Sequence, residues 1–414
     1  MLRGIIEGFY GPPWSWELRA EVASWCAARG MGDYVYAPKD DPKHRERWAE
    51  PYDPAELDAF ERLASLDGVR LGFAISPGLT IDADDADDRA RLGAKVDQVV
   101  AVGAANVVLA LDDIPFGGGP QGEAHARLTT WLRDHLGDRA GLALIPTEYV
   151  GLRPSPHLEA LAEGVPDDVP IGWTGRAVVN DTITVAEAHA RAEALGGRPP
   201  LLWDNYPVND AVMRTELFMG PVRGRDADLP GALSGYLANP MVEGRASTLP
   251  LASIAGWLRG EDPDPVWRVT GGDLGWLAFA AACDGEEARA AVRAATDGHL
   301  FAARTVFTEA AVCAAPGLED EVGPWLDQVH RDAALALEAL EVLDGERDVG
   351  KVLRLASGWQ ASMRAKVSVF GPRCSVRPVL SQADDGTWRV DRASVRHGEN
   401  AVDDLVRLAL DALE

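Results

Sequence analysis

The 414-residue sequence predicts an α/β chain: a (β/α)8 barrel over residues 1–261, followed by a mainly α-helical domain over residues 262–414. Three observations predict it. Eight short apolar runs alternate with stretches of helical periodicity across the first ~260 residues, the size of an eight-stranded parallel barrel. Polar residues and turn formers close each run, as expected where a strand meets its loop. Beyond Glu261 the strand signals fade, alanine becomes frequent and apolar residues recur at helical spacing. A doubly wound open sheet shares the alternation, but no G-x-G-x-x-G phosphate fingerprint follows the first strand.

Leu2 to Phe9 is the first expected strand; Pro12-Pro13 stop it, and Ser15 is placed to cap a helix from Trp16 to Ala28. Asp33 to Ala37 is the second, ending in Pro38-Lys39-Asp40-Asp41 and followed by a helix from Pro54 to Ser65. Val69 to Ile75 is the third, closed by Ser76-Pro77-Gly78, with a helix from Arg89 to Val102. The fourth, Asn106 to Leu111, is apolar at five of its six positions, as in a strand buried on both faces. It runs into Asp112-Asp113-Ile114-Pro115, then a glycine-rich loop from Gly117 to Gly119 and a helix from Gly122 to Leu136.

Leu142 to Ile145 is the fifth strand, leading to Pro146-Thr147-Glu148-Tyr149. Pro170 to Trp173 is the sixth, before a helix with Val185, Ala188, Ala192 and Leu195 on one face. Pro200 to Trp203 is the seventh, ending in Asp204-Asn205, and Gly235 to Leu237 the eighth, ending in Ala238-Asn239-Pro240. In the second domain, Trp325, Val329, Leu337 and Leu340 share one helical face, and Val402, Leu405, Val406, Ala409 and Leu413 another. Both stripes are expected to be core rather than partner-binding surface. Between them, Ser375 to Leu380 and Thr387 to Val390 flank Asp384-Asp385-Gly386, a hairpin-turn signal.

A formal net charge of −25 opposes a nucleic-acid partner, which needs a basic face. The four cysteines are far apart without zinc-like spacing, and the eight histidines form no H-E-x-x-H. A reducing cytoplasm, no metal and no cofactor are therefore expected. No apolar run reaches membrane-spanning length, and Gly4-Ile5-Ile6-Glu7 already reads as a strand, which leaves no room for a leader.

The residues at the expected strand ends are informative: Glu7, Tyr10, Lys39, Asp40, Asp41, Asp112, Asp113, Glu148, Tyr149, Trp203, Asp204, Asn205 and Asn239. In a parallel barrel they converge on one rim. Carboxylates and amides suit sugar hydroxyls, and aromatic faces suit the apolar face of a sugar ring. A divalent-metal hydrolase would also use Asp112, Asp113 and Asp204, so residue types leave both readings open. Adjacent carboxylates resist double ionisation, so one of Asp112 and Asp113 is expected to hold its proton to higher pH and act as a general acid. Both reach one pocket only if the strand ends there, because successive strand residues point to opposite faces.

Glu7-Gly8-Phe9-Tyr10-Gly11 with Pro13-Trp14, then Tyr36-Ala37-Pro38-Lys39-Asp40-Asp41 with His44-Arg45, resembles the opening of glycoside hydrolase family 84. This family comprises the O-GlcNAcases and bacterial β-N-acetylglucosaminidases. Ala74-Ile75-Ser76-Pro77-Gly78, Asp112-Asp113-Ile114, Pro146-Thr147-Glu148-Tyr149, Trp173-Thr174-Gly175, Trp203-Asp204-Asn205 and Asn239-Pro240 follow in the family's order. The resemblance implies a retaining exo-β-N-acetylglucosaminidase in which the substrate's own acetamido carbonyl is the nucleophile. It implies that Asp112 orients the acetamido N–H and that Asp113 is the acid and base. Tyr149 and Asn205 would serve the acetamido group, with Trp203, Val178 and Thr174 walling its pocket. Lys39, Asp210, Asn239 and the Gly8 carbonyl would hold sugar hydroxyls. Asp204, Glu7 and Glu148 are candidates for supporting these groups. The implied partner is a GlcNAc-bearing glycoside or glycoprotein. A catalytically silent GlcNAc-binding barrel and a hyaluronidase-type glycosaminidase are the alternatives.

Overall fold

The computed structural model describes residues 2–345, 349–371, 374–376, 379–382, 388–391, 395–397 and 400–412. The barrel is built in chain order from β1 (Arg3–Glu7), α1 (Trp16–Ala27), β2 (Asp33–Tyr36), α2 (Pro54–Ala64), β3 (Arg70–Ile75) and α3 (Ala86–Ala101). It continues with β4 (Asn106–Ala110), α4 (Gly118–Leu136), β5 (Gly141–Ile145), α5 (Pro156–Gly164) and β6 (Gly172–Trp173). α6 (Val185–Ala194), β7 (Leu201–Asp204), β8 (Gly235–Ala238) and α7 (Gly244–Leu258) complete it. The eight strands are parallel, in the order β5-β4-β3-β2-β1-β8-β7-β6. A bridge between Leu144 and Ile171, with Leu144 N–H on the Pro170 carbonyl (2.9 Å), brings the two edges together into a nearly closed barrel.

Caps set the helix starts. Ser15 accepts Leu18 N–H as expected, and Asp53 with Glu56 forms a capping box on α2. Asp85 accepts the N–H groups of Asp87 and Asp88, so α3 begins earlier than its apolar periodicity suggests. The glycine-rich loop is shorter than expected, because Gln121 bonds back to Gly117 N–H and the Pro115 carbonyl and starts α4 at Gly118. Two barrel helices carry weak sequence signals. α5 starts at Ser155-Pro156, and α7 is so thoroughly buried that it has no polar stripe.

Strand alternation sorts the core into two layers. Ile6, Val35, Ala74, Val108, Ala143, Leu201, Trp203 and Leu237 fill the barrel interior. Ile5, Tyr34, Phe73, Leu109, Leu144, Leu202 and Tyr236 face the helices. By this parity Asp112 points inward, whereas Glu7 and Asp204 point outward.

The C-terminal region comprises α8 (Pro263–Leu274), α9 (Leu277–Asp284), α10 (Glu286–Thr296), α11 (Leu300–Ala311), α12 (Glu319–Leu343) and α13 (Val349–Ser362). β9 (Cys374–Val376), β10 (Val379–Gln382), β11 (Trp388–Asp391), β12 (Val395–His397) and α14 (Ala401–Asp411) follow. Trp325, Val329 and Leu340 are buried with Leu337 half-buried against them, and Val402, Leu405, Val406 and Ala409 are buried, so both stripes are core; Leu413 lies outside the described residues. β10 and β11 pair antiparallel, with Leu380 opposite Val390, while β9 pairs with β12. The expected Asp384-Asp385-Gly386 turn lies outside the described residues.

Candidate active site

β4 stops at Ala110, and Leu111 still bonds to the Ile145 carbonyl (2.8 Å). Asp112 follows the inward parity. Asp113 would face outward on a continuing strand, but its φ of +54° turns the chain, and Asp is among the few residues that tolerate that region. Arg45 fixes this turn by donating to the Asp113 carbonyl (2.8 Å). The backbone thereby delivers two successive carboxylates to one mouth.

Lys39, on the inward parity beyond β2, donates to Asp112 Oδ2 and lies 3.6 Å from Asp113 Oδ2. The protein's own ammonium thus bridges the two carboxylates. Its Nζ also lies 5.7 Å from the Trp203 ring centroid and 6.0 Å from that of Tyr10. Asp113 is further held by the hydroxyls of Tyr10 (2.7 Å to Oδ2) and Tyr149 (2.9 Å to Oδ1). Asp112 Oδ1, by contrast, is buried with no hydrogen-bond partner.

These contacts oppose a raised acid at Asp113. Burial alone would raise the Asp113 carboxyl, but the Lys39 ammonium, the Tyr10 and Tyr149 hydroxyls and Arg45 outweigh it. Asp113 is therefore held below the usual carboxylate range in the free protein. The expectation considered only like-charge repulsion and had no means of placing a cation between the two groups. Tyr10 and Tyr149 are both raised, first by burial and then by Asp113, and so remain hydrogen-bond donors. Beneath them, burial and the Lys39 charge push the fully buried His44 down to about 4, so this imidazole is neutral.

Across the mouth, Asn205 Oδ1 accepts from Trp203 Nε1 (2.9 Å) and Asn239 Nδ2 (2.9 Å), while its Nδ2 donates to the Val178 carbonyl (2.8 Å). Gly8 N–H donates to Asn239 Oδ1 (3.2 Å), closing the chain of contacts back to β1. Only glycine fits at position 8: a Cβ there would come within 2.3 Å of the Trp203 ring. Asp210 accepts the Tyr10 N–H (2.7 Å), and burial raises its carboxyl despite that bond.

Asp112, Asp113, Lys39, Tyr149, Trp203, Asn205, Asn239, Gly8 and Asp210 are thus brought to one rim. Val178 reaches it through its carbonyl. The Thr174 hydroxyl is committed to the Ala177 carbonyl (3.1 Å), which makes Thr174 a fastening of the loop under Tyr149. The supporting carboxylates lie elsewhere. Glu7 is fully buried on the outer face and receives a fork from Arg19 (2.8 and 3.0 Å), the Tyr34 hydroxyl and Trp14 N–H (3.1 Å). Asp204 is forked by Arg225 (2.6 and 3.0 Å) and bonded by Tyr236 (2.9 Å), also outside the barrel. Glu148 accepts from Ser155 (2.5 Å), and burial raises it. Asp41 bonds to Tyr36 (2.8 Å) and Tyr52 (3.2 Å), and Asp40 is exposed.

Sequence reasoning gave no role to Arg45, and none to Tyr10 beyond a place on the rim. Tyr10 was detectable as a hydroxyl directly after the first strand. Arg45 belongs to the His44-Arg45 motif, but nothing local announced its partner, a backbone carbonyl 68 positions away.

Residues 3–270 match the family model described as beta-N-acetylglucosaminidase. The chain is 33% identical over 275 residues to the protein O-GlcNAcases of Rattus norvegicus and Mus musculus. Those matches span 62% of this chain and 30% of either relative. A solved variant of Thermobaculum terrenum O-GlcNAc hydrolase superposes with a TM-score of 0.79 at 24% identity, covering 99% of this chain and 94% of that one. This likeness extends the common fold through the helical region.

Proposed function

The chain belongs to the β-N-acetylglucosaminidase family, glycoside hydrolase family 84, and on that premise we propose that it is a retaining, exo-acting enzyme. In this reading it removes terminal β-linked GlcNAc from O-GlcNAc-type glycosides through an oxazoline intermediate. The observation that carries the reading is the contrast within the aspartate pair: Asp112 Oδ1 is buried without a partner while both Asp113 oxygens are bonded. A buried carboxylate oxygen lacking a donor calls for one, and an acetamido N–H supplies it.

With that N–H on Asp112, the acetamido oxygen attacks the anomeric carbon and the glycosidic C–O bond breaks. Asp113 gives its proton to the departing oxygen, then takes one from the water that opens the oxazoline. Substrate also resolves the proton problem posed by the free protein. A sugar that draws Lys39 to a hydroxyl and Tyr149 to the acetamido oxygen removes two of the groups that keep Asp113 ionised. Burial then favours the protonated acid. Trp203 walls the acetyl pocket with Val178 and Thr174, and Asn205 holds Trp203 and the Val178 backbone in register. Lys39, Asp210, Asn239 and the Gly8 carbonyl take the hydroxyls. A cytoplasmic setting belongs to the same proposal, supported by the free thiols of Cys26, Cys283 and Cys313. No helix among the described residues is long and apolar enough to cross a membrane.

The test is release of the chromophore from an aryl β-GlcNAc. Asp112→Ala and Asp113→Ala should each lower kcat about 10²–10⁴-fold. For Asp113→Ala the loss in the glycosylation step should shrink as the leaving group improves. Full activity in either variant would sink the assignment.

A further inference from the structure

Residues 205–234 join β7 to β8 and carry both Asn205 and Asp210. Among the described residues this segment contains only two short 3-10 turns, Ala211–Met213 and Leu229–Ala232. Irregular backbone does not by itself hold a carboxylate in a sugar site; surrounding bonds must do so. Two sets of bonds do.

The first set comes from the barrel. Asn209, fully buried beside Asp210, donates from Nδ2 to the Glu216 carbonyl (3.0 Å) and to Glu243 Oε2 (2.7 Å). Its Oδ1 accepts Val242 N–H (3.1 Å). Arg214 closes the ring with a fork onto Glu243 (2.9 and 3.0 Å). Ala211, directly after Asp210, sits at φ +47°, a conformation that a residue with a Cβ keeps only when its surroundings impose it.

The second set comes from the helical region. Trp325 Nε1 (3.1 Å) and Ser368 N–H (2.8 Å) both donate to the Thr215 carbonyl. Trp267 Nε1 donates to the Met219 carbonyl (2.6 Å), and Leu217 and Met219 are buried in the helical core. Arg223 forks onto Asp284 (2.6 and 3.0 Å), and a Cβ at the adjoining Gly220 would meet Asp284 Oδ1 at 2.1 Å. A tryptophan is a rigid plate with a single donor, so these two bonds fix the backbone in place without reading its sequence.

We propose that the helical region is a working part of the sugar site: Trp325, acting with Asn209, clamps residues 209–219 and so aims Asp210 at the sugar. Asn209 and Trp325 are then positioning residues that act through Asp210. The inference rests on the reading of Asp210 as a ligand of the sugar hydroxyls.

The test uses the full chain and an aryl β-GlcNAc, with Asn209→Ala, Trp325→Phe, Asp210→Ala and each clamp variant combined with Asp210→Ala. KM should rise about tenfold for Asn209→Ala and about threefold for Trp325→Phe, with kcat within about twofold, for the loss of one to three hydrogen bonds. In the Asp210→Ala background neither clamp variant should raise KM further. Losses that multiply independently in the double variants would overturn the clamp, as would an unchanged KM in Trp325→Phe. An unchanged KM in Asp210→Ala overturns instead the ligand reading beneath it. Where Asn209→Ala does not fold, Trp325→Phe keeps the aromatic ring and carries the same cycle.

Discussion

The barrel carries acidic residues at its strand ends on both sides of its wall, and the two sides are treated differently. On the outside, Glu7 and Asp204 are each forked by an arginine and bonded by a tyrosine, leaving little acceptor capacity to spare. On the inside, Asp112 has one oxygen on Lys39 and the other without a partner, and Asp113 is held by phenol hydroxyls that substrate can draw away. A buried carboxylate that is fully bonded is part of the scaffold, and one left partly bonded is available to a ligand. The same residue type at the same end of a strand thus serves two purposes, and strand parity decides which.

Exchanging damage between the two sides sharpens the contrast. Glu7→Ala leaves Arg19 as a buried charge without its partner and should cost about 3–5 kcal/mol of stability in denaturant titration. The folded fraction should keep kcat/KM within about twofold, because Glu7 touches nothing in the mouth. A large kcat loss at full stability would erase the distinction. Inside, Lys39→Met strands the buried Asp112 and so also costs stability, but its folded fraction, unlike that of Glu7→Ala, should lose more than tenfold in kcat/KM, the rough cost of a lost charged contact.

The smallest effect is one of pH. A general acid works only while protonated, so kcat/KM falls as pH rises through the pKa of Asp113 in the free enzyme. Lys39 and Tyr10 both depress that pKa. Removing either raises it, so the alkaline limb of kcat/KM should move to higher pH, further in Lys39→Met than in Tyr10→Phe. A limb that stays put or moves lower would show that Asp113 is not the group that titrates.

Much of this was legible before any coordinates. The eight strands fall where apolar runs meet turn formers, and five of the seven barrel helices, all but α5 and α7, follow caps or periodicity in their starts or faces. The rim residues were readable because in a parallel barrel every strand end faces the same way, which turns linear order into spatial proximity. Residue type does not announce that the Thr174 hydroxyl is claimed by the Ala177 carbonyl three residues on, a local turn contact.

The sequence by itself determined the alternation, the register of inward and outward residues, and the adjacency of Asp112 and Asp113. These are local properties, fixed by side-chain period and chain order. Only the tertiary structure decided which carboxylates are spent and which are available. The partners that decide this come from far along the chain: Lys39 is 73 positions from Asp112, and Tyr10 is 103 from Asp113. Charge balance in a buried site depends on distance in space, so the depressed acid at Asp113 and the clamp on Asp210 emerge only once the chain has closed on itself.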